Sequence, residues 1–238
     1  MKVVILAAGH GTRMQGYEAA AGKPKVMLPM KDGRPIIAHT VDRLLRYGFE
    51  PVIAVASSTY GSQITDYFAD NTKVRFSHAD APSGTAGEVH NARHLLDGKT
   101  FLVYYGDVVA NVDLAAMLRL HEEKENTLTM CGARFFDIGE GMLEQAGETL
   151  IINEKPLIDF AVLGKYPNCP IFYAEREVLD YISRLRNVHQ AELDFSQHVI
   201  QEMTKDEKRM SFFVHDGFYY NVGNAKVHRI VESSDLDF

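Results

Sequence analysis

The feature that most constrains the fold is the alternation, through the first half of the chain, of short apolar runs with amphipathic stretches. The apolar runs predict buried strands at residues 2–8, 51–56, 74–78 and 101–105. The spacing of apolar residues between them predicts helices at residues 36–47, 61–69 and 86–96. Strands that alternate with helices in this way pair in parallel through right-handed crossovers. We therefore predict an α/β fold, with a Rossmann-like, mostly parallel mixed sheet flanked by helices.

The second half of the chain has a less regular pattern. It predicts strands at residues 127–135, 149–153, 211–215 and 219–222, and helices at residues 175–185 and 195–203. We find no internal repeat and no linker rich in Pro, Gly or Ser. The sequence therefore predicts a single domain over 1–238, in which a nucleotide-type half (1–125) is followed by a half that closes the pocket (126–238).

Composition excludes several classes of protein. The 238 residues are 46% hydrophobic and 24% charged, which is typical of an ordinary globular domain and excludes disorder as the main state. A net charge of −7 argues against nucleic acid as a partner. No apolar run is long enough to cross a membrane, and the start of the chain does not resemble a secretory signal. With only two cysteines, Cys131 and Cys169, the sequence predicts a cytoplasmic protein.

A glycine-rich turn directly follows the first predicted strand. Gly9 and Gly11 allow the backbone to turn sharply and to present successive N–H groups to phosphate oxygens, and Arg13 adds a charged donor. A dinucleotide fingerprint would require glycine where Met14 stands, and the Gly-Lys-Ser/Thr of a Walker A loop is absent. The turn therefore indicates an anion site that neither of the two common phosphate motifs describes.

Further motifs follow this turn in order along the chain. The five segments are Gly9 to Arg13, Pro24-Lys25, Gly84-Thr85-Ala86-Gly87, Gly106-Asp107 and Glu154-Lys155-Pro156. In these segments the chain resembles the nucleotidyltransferase family that makes nucleotide sugars, whose opening motif is G-x-G-T-R followed by P-K. The resemblance covers most of the chain and implies an enzyme, a sugar-phosphate nucleotidylyltransferase. It also implies that 126–238 is the sugar-binding half.

The implied reaction is attack of a sugar-1-phosphate oxygen on the α-phosphorus of a nucleoside triphosphate, with release of pyrophosphate. A phosphate monoester is already largely ionised at pH 7, so charge neutralisation and alignment dominate the catalysis. By resemblance, Arg13 neutralises the triphosphate and the leaving group, and Lys25 holds the phosphates beside the α-phosphorus. The alternative for Lys25 is a solvated loop lysine.

The resemblance implies Mg²⁺ as cofactor, with Asp107 as a ligand. Asp107 follows an apolar run, at the edge where Mg²⁺ would meet a carboxylate and phosphate oxygens; a simple turn aspartate is the alternative. Family members usually place a second aspartate where this chain has Asn221. We expect Asn221 to be a neutral metal ligand, and Asp216 is the nearest carboxylate in the sequence that could compensate.

The remaining site residues are also implied by resemblance. Nucleotide-binding residues are Ala7, Ala8, Gly9, Gly11, Thr12, Asp80, Gly84 and Thr85, and substrate-binding residues are Gly106, Glu154, Lys155 and Asn168. The carboxylate of Asp80 can accept from a base amino group, which favours CTP or GTP. The alternative is that Asp80 is an exposed turn residue before Pro82.

Two departures from the family pattern leave other functions open. Asn168 is followed by Cys169 and Pro170 where the family has Ala-Gly, so the acceptor is either a sugar-1-phosphate or a non-sugar phosphate such as phosphocholine or a polyol phosphate. Together with Asn221, this change also leaves open a catalytically weak homologue that binds a nucleotide sugar and regulates a partner. The sequence does not decide whether the chain forms a homo-oligomer.

Two histidines at helical spacing resemble part of a zinc-binding pattern, but the pattern is incomplete. His90 and His94 stand four residues apart with Glu88 beside them, yet position 91 is asparagine, so the H-E-x-x-H zinc pattern is not met. We therefore predict no zinc site there.

Overall fold

The computed structural model describes residues 1–137, 142–146, 149–153, 157–189 and 193–236, of which 137, 142–146 and 149–153 are described by backbone alone. The described strands are β1 Lys2–Leu6, β2 Glu50–Ala56, β3 Arg75–Ala79, β4 Thr100–Tyr105, β5 Val108–Ala110, β6 Leu128–Ala133, β7 Phe135–Asp137, β8 Met142–Ala146, β9 Thr149–Asn153, β10 Leu157–Asp159, β11 Asn168–Glu175, β12 Met210–His215 and β13 Tyr219–Asn221. The described helices are α1 Ile36–Arg46, α2 Gly61–Tyr67, α3 Thr85–Ala92, α4 Leu114–Glu123, α5 Val178–His189, α6 Ile200–Lys205 and α7 Ala225–Ser233.

The centre of the molecule is a seven-stranded sheet in the order β12-β6-β11-β4-β1-β2-β3. Adjacent strands run parallel except at β11, which is antiparallel to both β4 and β6. Strands from both halves of the chain therefore share this sheet. The α/β fold with a mostly parallel mixed sheet is confirmed.

Helices cover both faces of the sheet because side chains of its buried strands alternate between them. In β1, Val3 and Ile5 pack into the cluster that holds α1, α2 and α4, whereas Val4 and Leu6 pack against α3 and α5. All four of these side chains are buried. This explains why the strand reads as a continuous apolar run rather than as an alternating one.

The first-half elements are confirmed within a few residues, and the second half needs corrections. The strand predicted at 127–135 is two strands, β6 and β7, and the helix predicted at 175–185 begins only at Val178, because Glu175 ends β11. The helix predicted at 195–203 begins with a π-helical turn over Phe195–Val199 and continues as α6. The sequence patterns did not predict α7, and of α4 they indicated only an acidic, solvated end.

No helix among the described residues is both long enough and apolar enough to cross a bilayer.

Candidate active site

The turn after β1 lies at the carboxyl edge of the sheet. Gly11 has φ +62°, a left-handed conformation that glycine adopts without strain, and it leads into a single 3₁₀ turn over Thr12–Met14. A β-carbon at Gly11 would meet the side chain of Lys25 at 3.8 Å. The glycine-rich turn and the Pro24-Lys25 segment are therefore packed against each other, as the two motifs would require if they bind one ligand.

Asp107 follows β4 at the same edge. The N–H of Gly106 donates to the carbonyl of Leu6 at 2.9 Å, and a β-carbon at Gly106 would lie 2.8 Å from that oxygen. Only glycine allows the ends of β4 and β1 to approach so closely. Asp107 is thereby placed beside the turn that follows β1, where its Oδ2 accepts a hydrogen bond from the ammonium of Lys25.

Asn221 reaches Asp107 through a short antiparallel pair. In the β13–β5 pair, Asn221 lies opposite Val108, and the N–H of Val222 donates to the carbonyl of Asp107 at 2.8 Å. A β-carbon at Gly223 would be 3.5 Å from both the Arg13 guanidinium carbon and Oδ1 of Asn221. Arg13, Asp107 and Asn221 are distant in sequence, but the fold places these three predicted groups close together.

The loop over residues 84–87 is held by a segment from the second half of the chain. The N–H groups of Ala86 and Gly87 both donate to the carbonyl of Leu193, at 2.9 and 3.3 Å. The Thr85 hydroxyl donates to Oδ2 of Asp194 at 3.1 Å and accepts from the N–H of Phe195 at 2.9 Å. These hydrogen bonds fix the position of the loop over residues 84–87.

A cavity of about 440 Å³ lies between these elements. The sequence-predicted residues that line it are Ala7, Gly9, Arg13, Lys25, Thr85, Asp107, Asn168 and Asn221. Gly11 lines an adjoining cavity of about 130 Å³ that shares Gly9, Pro24 and Lys25 with the first. The structure thus brings most of the predicted nucleotide, catalytic and metal residues to one cleft.

Other predicted residues are not in the walls of these two cavities. Ala8 is buried beneath the turn, Gly84 and Gly106 shape the backbone, and Thr12 and Asp80 are exposed. The carbonyl of Asp80 accepts from the N–H of Ser58 at 3.0 Å. Glu154 and Lys155 lie outside the described residues. The compensating carboxylate suggested at Asp216 faces Arg134 instead, at 3.4 Å, away from the cleft.

The departure at Cys169-Pro170 has a structural consequence. The register of β11 against β6 shifts between Cys169 and Phe172, because Pro170 offers no N–H to the ladder. Asn168 and Pro170 both line the larger cavity, and the Tyr219 hydroxyl donates to the Asn168 carbonyl at 3.1 Å. Pro170 therefore sits in the wall of the cleft rather than outside it.

Sequence reasoning missed several cleft residues, of which Glu88 is the most unusual. It lies in the first turn of α3, is 7% exposed, and accepts a hydrogen bond from the N–H of Ala8 at 3.3 Å. Burial raises the pKa of the Glu88 carboxyl from 4.5 to about 7. The sequence analysis considered Glu88 only beside His90 and His94, in a zinc pattern that is not met, whereas its side chain lines the cleft. Tyr105, Asp194, Ser196 and Gln197 were also missed.

The raised pKa of Glu88 makes the free energy of unfolding depend on pH. Glu88→Gln should remove this part of the pH dependence. Because the folded pKa is raised, this carboxyl stabilises the fold most below pH 4.5, and its contribution is lost as the pH rises through about 7. Glutamine keeps an acceptor for the Ala8 N–H. Relative to the original chain, the variant should gain about 3 kcal/mol in unfolding free energy between pH 4.5 and pH 8.

Urea unfolding at both pH values measures this difference. Glu123→Gln, on the exposed surface of α4, controls for the loss of one negative charge. An unchanged stability difference between Glu88→Gln and the original chain across this pH range would contradict the raised pKa.

The groups beside Arg13 fit a magnesium ion. Asp107 offers a carboxylate, and Oδ1 of Asn221 is buried with no hydrogen-bond donor among the described residues. Mg²⁺ commonly takes one or two protein carboxylates and completes its shell with phosphate oxygens and water. Among the described residues no group of three or more His, Cys, Asp or Glu side chains could hold a metal ion. Asp107 and Asn221 would therefore supply two oxygen ligands and leave the remaining positions of a magnesium shell to phosphate oxygens and water.

A mostly parallel sheet whose carboxyl edge carries a glycine-rich turn and a cleft lined by Arg13 and Lys25 is typical of nucleotide-binding α/β proteins. Residues 2–231 match the nucleotidyl transferase family, and the chain belongs to that family.

Individual comparisons agree with this assignment. The chain is 24% identical to a Bacillus subtilis (strain 168) protein named "Probable glucose-1-phosphate cytidylyltransferase", over 95% of this chain and 92% of that protein. It is 29% identical to a mannose-1-phosphate guanylyltransferase of Mycobacterium tuberculosis, over 78% of this chain and 52% of that protein. The chain thus spans about half the length of the second relative. The crystal structure of HddC from Yersinia pseudotuberculosis complexed with GMP-PN superposes with a TM-score of 0.70 at 18% identity, covering 97% of each chain.

Proposed function

We propose that this chain transfers a nucleotidyl group from a nucleoside triphosphate to a sugar-1-phosphate, giving a nucleotide sugar and pyrophosphate. The observation that carries the proposal is the convergence of Arg13, Lys25 and Asp107 on one cleft within a chain that belongs to the nucleotidyl transferase family. The names of its relatives describe transfer to sugar-1-phosphates. By resemblance to the family, we also propose Glu154 and Lys155 as sugar-side residues, 1–238 as a single catalytic domain, and a cytoplasmic location.

In the reaction, an oxygen of the sugar-1-phosphate forms a bond to the α-phosphorus while the bond to the bridging oxygen of the β-phosphate breaks. The electron pair of the broken bond leaves with pyrophosphate, and the ionised nucleophile requires no general base. Arg13 holds negative charge on the triphosphate and the leaving group, and Lys25 orients the phosphates at the α-phosphorus. Asp107 and Asn221 would hold Mg²⁺, which neutralises phosphate charge.

The proposed donor preference depends on an amino group of the base. We propose CTP or GTP as the favoured donors, because the Asp80 carboxylate can accept from the amino group of cytosine or guanine, and two relatives are named as a cytidylyltransferase and a guanylyltransferase. Asp80 is exposed and does not line either cavity. Its side chain would therefore contact the base from the solvent side of the cleft.

Release of pyrophosphate tests the proposed function. The four common ribonucleoside triphosphates and dTTP are each paired with glucose-1-phosphate, mannose-1-phosphate, phosphocholine and a polyol phosphate, with Mg²⁺ present. Turnover with a sugar-1-phosphate supports the proposal, and turnover with only a non-sugar phosphate replaces it with the alternative acceptor. Binding of a triphosphate without any turnover would favour a regulatory homologue.

Asn221→Asp is expected to raise activity at limiting Mg²⁺. A second carboxylate adds a full negative charge where the chain now offers an amide oxygen, so the Mg²⁺ concentration for half-maximal activity should fall roughly 10-fold. Asn224→Asp is the matched control, because Asn224 is exposed and caps α7 by accepting from Val227, a role that aspartate fills equally well. Identical Mg²⁺ titrations for the two variants would show that position 221 does not touch the metal.

A further inference from the structure

The contact between Lys25 and Asp107 has a consequence for metal binding. The ammonium of Lys25 donates to Oδ2 of Asp107, and the two side chains are 20% and 9% exposed. In such partly buried surroundings, a neighbouring charge acts more strongly than it would in water. The carboxylate that the metal requires is therefore already neutralised by a cation of the chain itself.

The second metal group does not restore the missing charge. Asn221 contributes an oxygen without charge, and its Oδ1 accepts no hydrogen bond from any described residue. Asp107 and Asn221 together carry one negative charge, and Lys25 balances it. A divalent cation approaching these oxygens meets the positive charge of Lys25 at the same carboxylate, and the two cations compete for it.

We propose that Lys25 competes with the divalent cation for Asp107, so that the free ion binds weakly and binds well only together with the nucleotide. The role of the nucleotide in this proposal rests on the proposed function. Lysine carries a compact charge on a flexible four-carbon stem, so Lys25 can exchange the carboxylate for a phosphate oxygen. That exchange releases Asp107 to the metal. Lys25 thus couples metal binding to nucleotide binding, besides orienting phosphates.

The test measures binding of free Mn²⁺ to the full chain by electron paramagnetic resonance, without nucleotide. Lys25→Met removes the charge and keeps the length of the side chain. We expect it to bind Mn²⁺ about 10- to 100-fold more tightly than the original chain, because the competing charge is gone. Adding Asp107→Asn to Lys25→Met should return the affinity to the weak range.

Lys208→Met is the matched control for net charge. Lys208 pairs with Glu177 at 3.0 Å, and it lies outside both cavities of the cleft. It removes one positive charge without changing the surroundings of Asp107, so its Mn²⁺ affinity should equal that of the original chain. A gain as large as that of Lys25→Met would show that net charge, not competition at the site, controls binding.

A second variant, Lys25→Gln, and the unfolding temperature in Mg²⁺ test the same competition independently. If Lys25→Met does not fold, Lys25→Gln removes the same charge and retains a donor for Asp107. Mg²⁺ should also raise the unfolding temperature more in the Lys25 variants than in the original chain, because binding to the folded state stabilises it. Equal or weaker Mn²⁺ binding by the Lys25 variants would overturn the proposal.

None of these measurements requires turnover. Absence of nucleotidyl transfer would therefore contradict the proposed function without affecting the competition between Lys25 and the metal. Active enzyme whose Lys25 variants show no tighter Mn²⁺ binding would contradict only the competition.

Discussion

Replacing Asp107 by asparagine is expected to lower kcat/KM for nucleotidyl transfer about 10³-fold, even at high Mg²⁺. The variant keeps the shape of the side chain and the contact of Gly106 with Leu6, but it loses the carboxylate that the candidate metal site provides. Asn221 already supplies a neutral oxygen, so Asp107→Asn leaves this pair of groups without any negative charge. A higher Mg²⁺ concentration should restore the rate only in part, because Mg²⁺ held by the phosphates alone is no longer fixed by a carboxylate of the chain. Steady-state pyrophosphate release over a range of Mg²⁺ concentrations measures the effect.

Asp216→Asn provides the comparison. Its carboxyl lies against Arg134, 66% exposed and outside the cavity walls, so the variant should retain activity close to that of the original chain. A loss at Asp216 similar to that at Asp107 would show that the metal site had been assigned to the wrong carboxylate. Full activity of Asp107→Asn would show that Asp107 is not part of a metal site.

Gly84→Ala is expected to destabilise the protein by about 3 kcal/mol or more, because two effects act at one position. Gly84 has φ +79°, a conformation that alanine adopts only with strain. In addition, a β-carbon would lie 2.5 Å from the carbonyl oxygen and 2.7 Å from the nitrogen of Leu193, which are backbone atoms that cannot rotate away. The substitution should push the segment after Leu193 off the loop at 84–87 and weaken nucleotide binding as well. Urea unfolding and a nucleotide titration measure the two effects.

Gly48→Ala measures the cost of a positive φ at a position where a β-carbon meets no other atom. Gly48 has φ +77°, but a β-carbon there would meet nothing within 4 Å. We expect this control to lose only about 1 kcal/mol, from backbone strain alone, and to bind nucleotide normally. If both variants lost the same stability, the packing of Leu193 against Gly84 would contribute nothing.

The first half of the fold could be predicted because its signals are local. A parallel strand covered on both faces is apolar at every position, as β1 is, and each helix between strands shows a 3.6-residue period. The second half is harder because its strands change partners and direction. The predicted strand at 127–135 divides at residue 134 as the chain leaves the central sheet for the β7–β10 pair.

The site could be predicted only as far as its motifs are contiguous. The glycine turn and Pro24-Lys25 are short segments with a direct chemical meaning, and they line the cleft. Glu88 gave no such signal, because only the packing of α3 on β1 turns its carboxyl to the Ala8 N–H. The hold of Leu193 on Ala86 likewise joins residues more than a hundred positions apart, which no local pattern contains.

Asp80 and Asp216 were predicted from their closeness in sequence to a motif, and neither lines the cavities. Both are carboxylates close in sequence to a motif, and proximity along the chain suggested that each could reach the ligand. Asp216 pairs with Arg134 instead, and Asp80 is exposed and is not among the residues that line the two cavities. For Asp216, closeness in sequence to Asn221 was a poor guide, because its carboxylate pairs with Arg134, 82 residues away along the chain.

The fate of a label on the α-phosphorus tests the central claim most directly. The enzyme is incubated with a sugar-1-phosphate, Mg²⁺ and the triphosphate that gives turnover, labelled either at the α- or at the γ-phosphorus. Our account predicts that the α-label appears in a nucleotide sugar and the γ-label in pyrophosphate, in equal amounts. Appearance of the γ-label in inorganic phosphate or in the sugar product, with no nucleotide sugar formed, would contradict it.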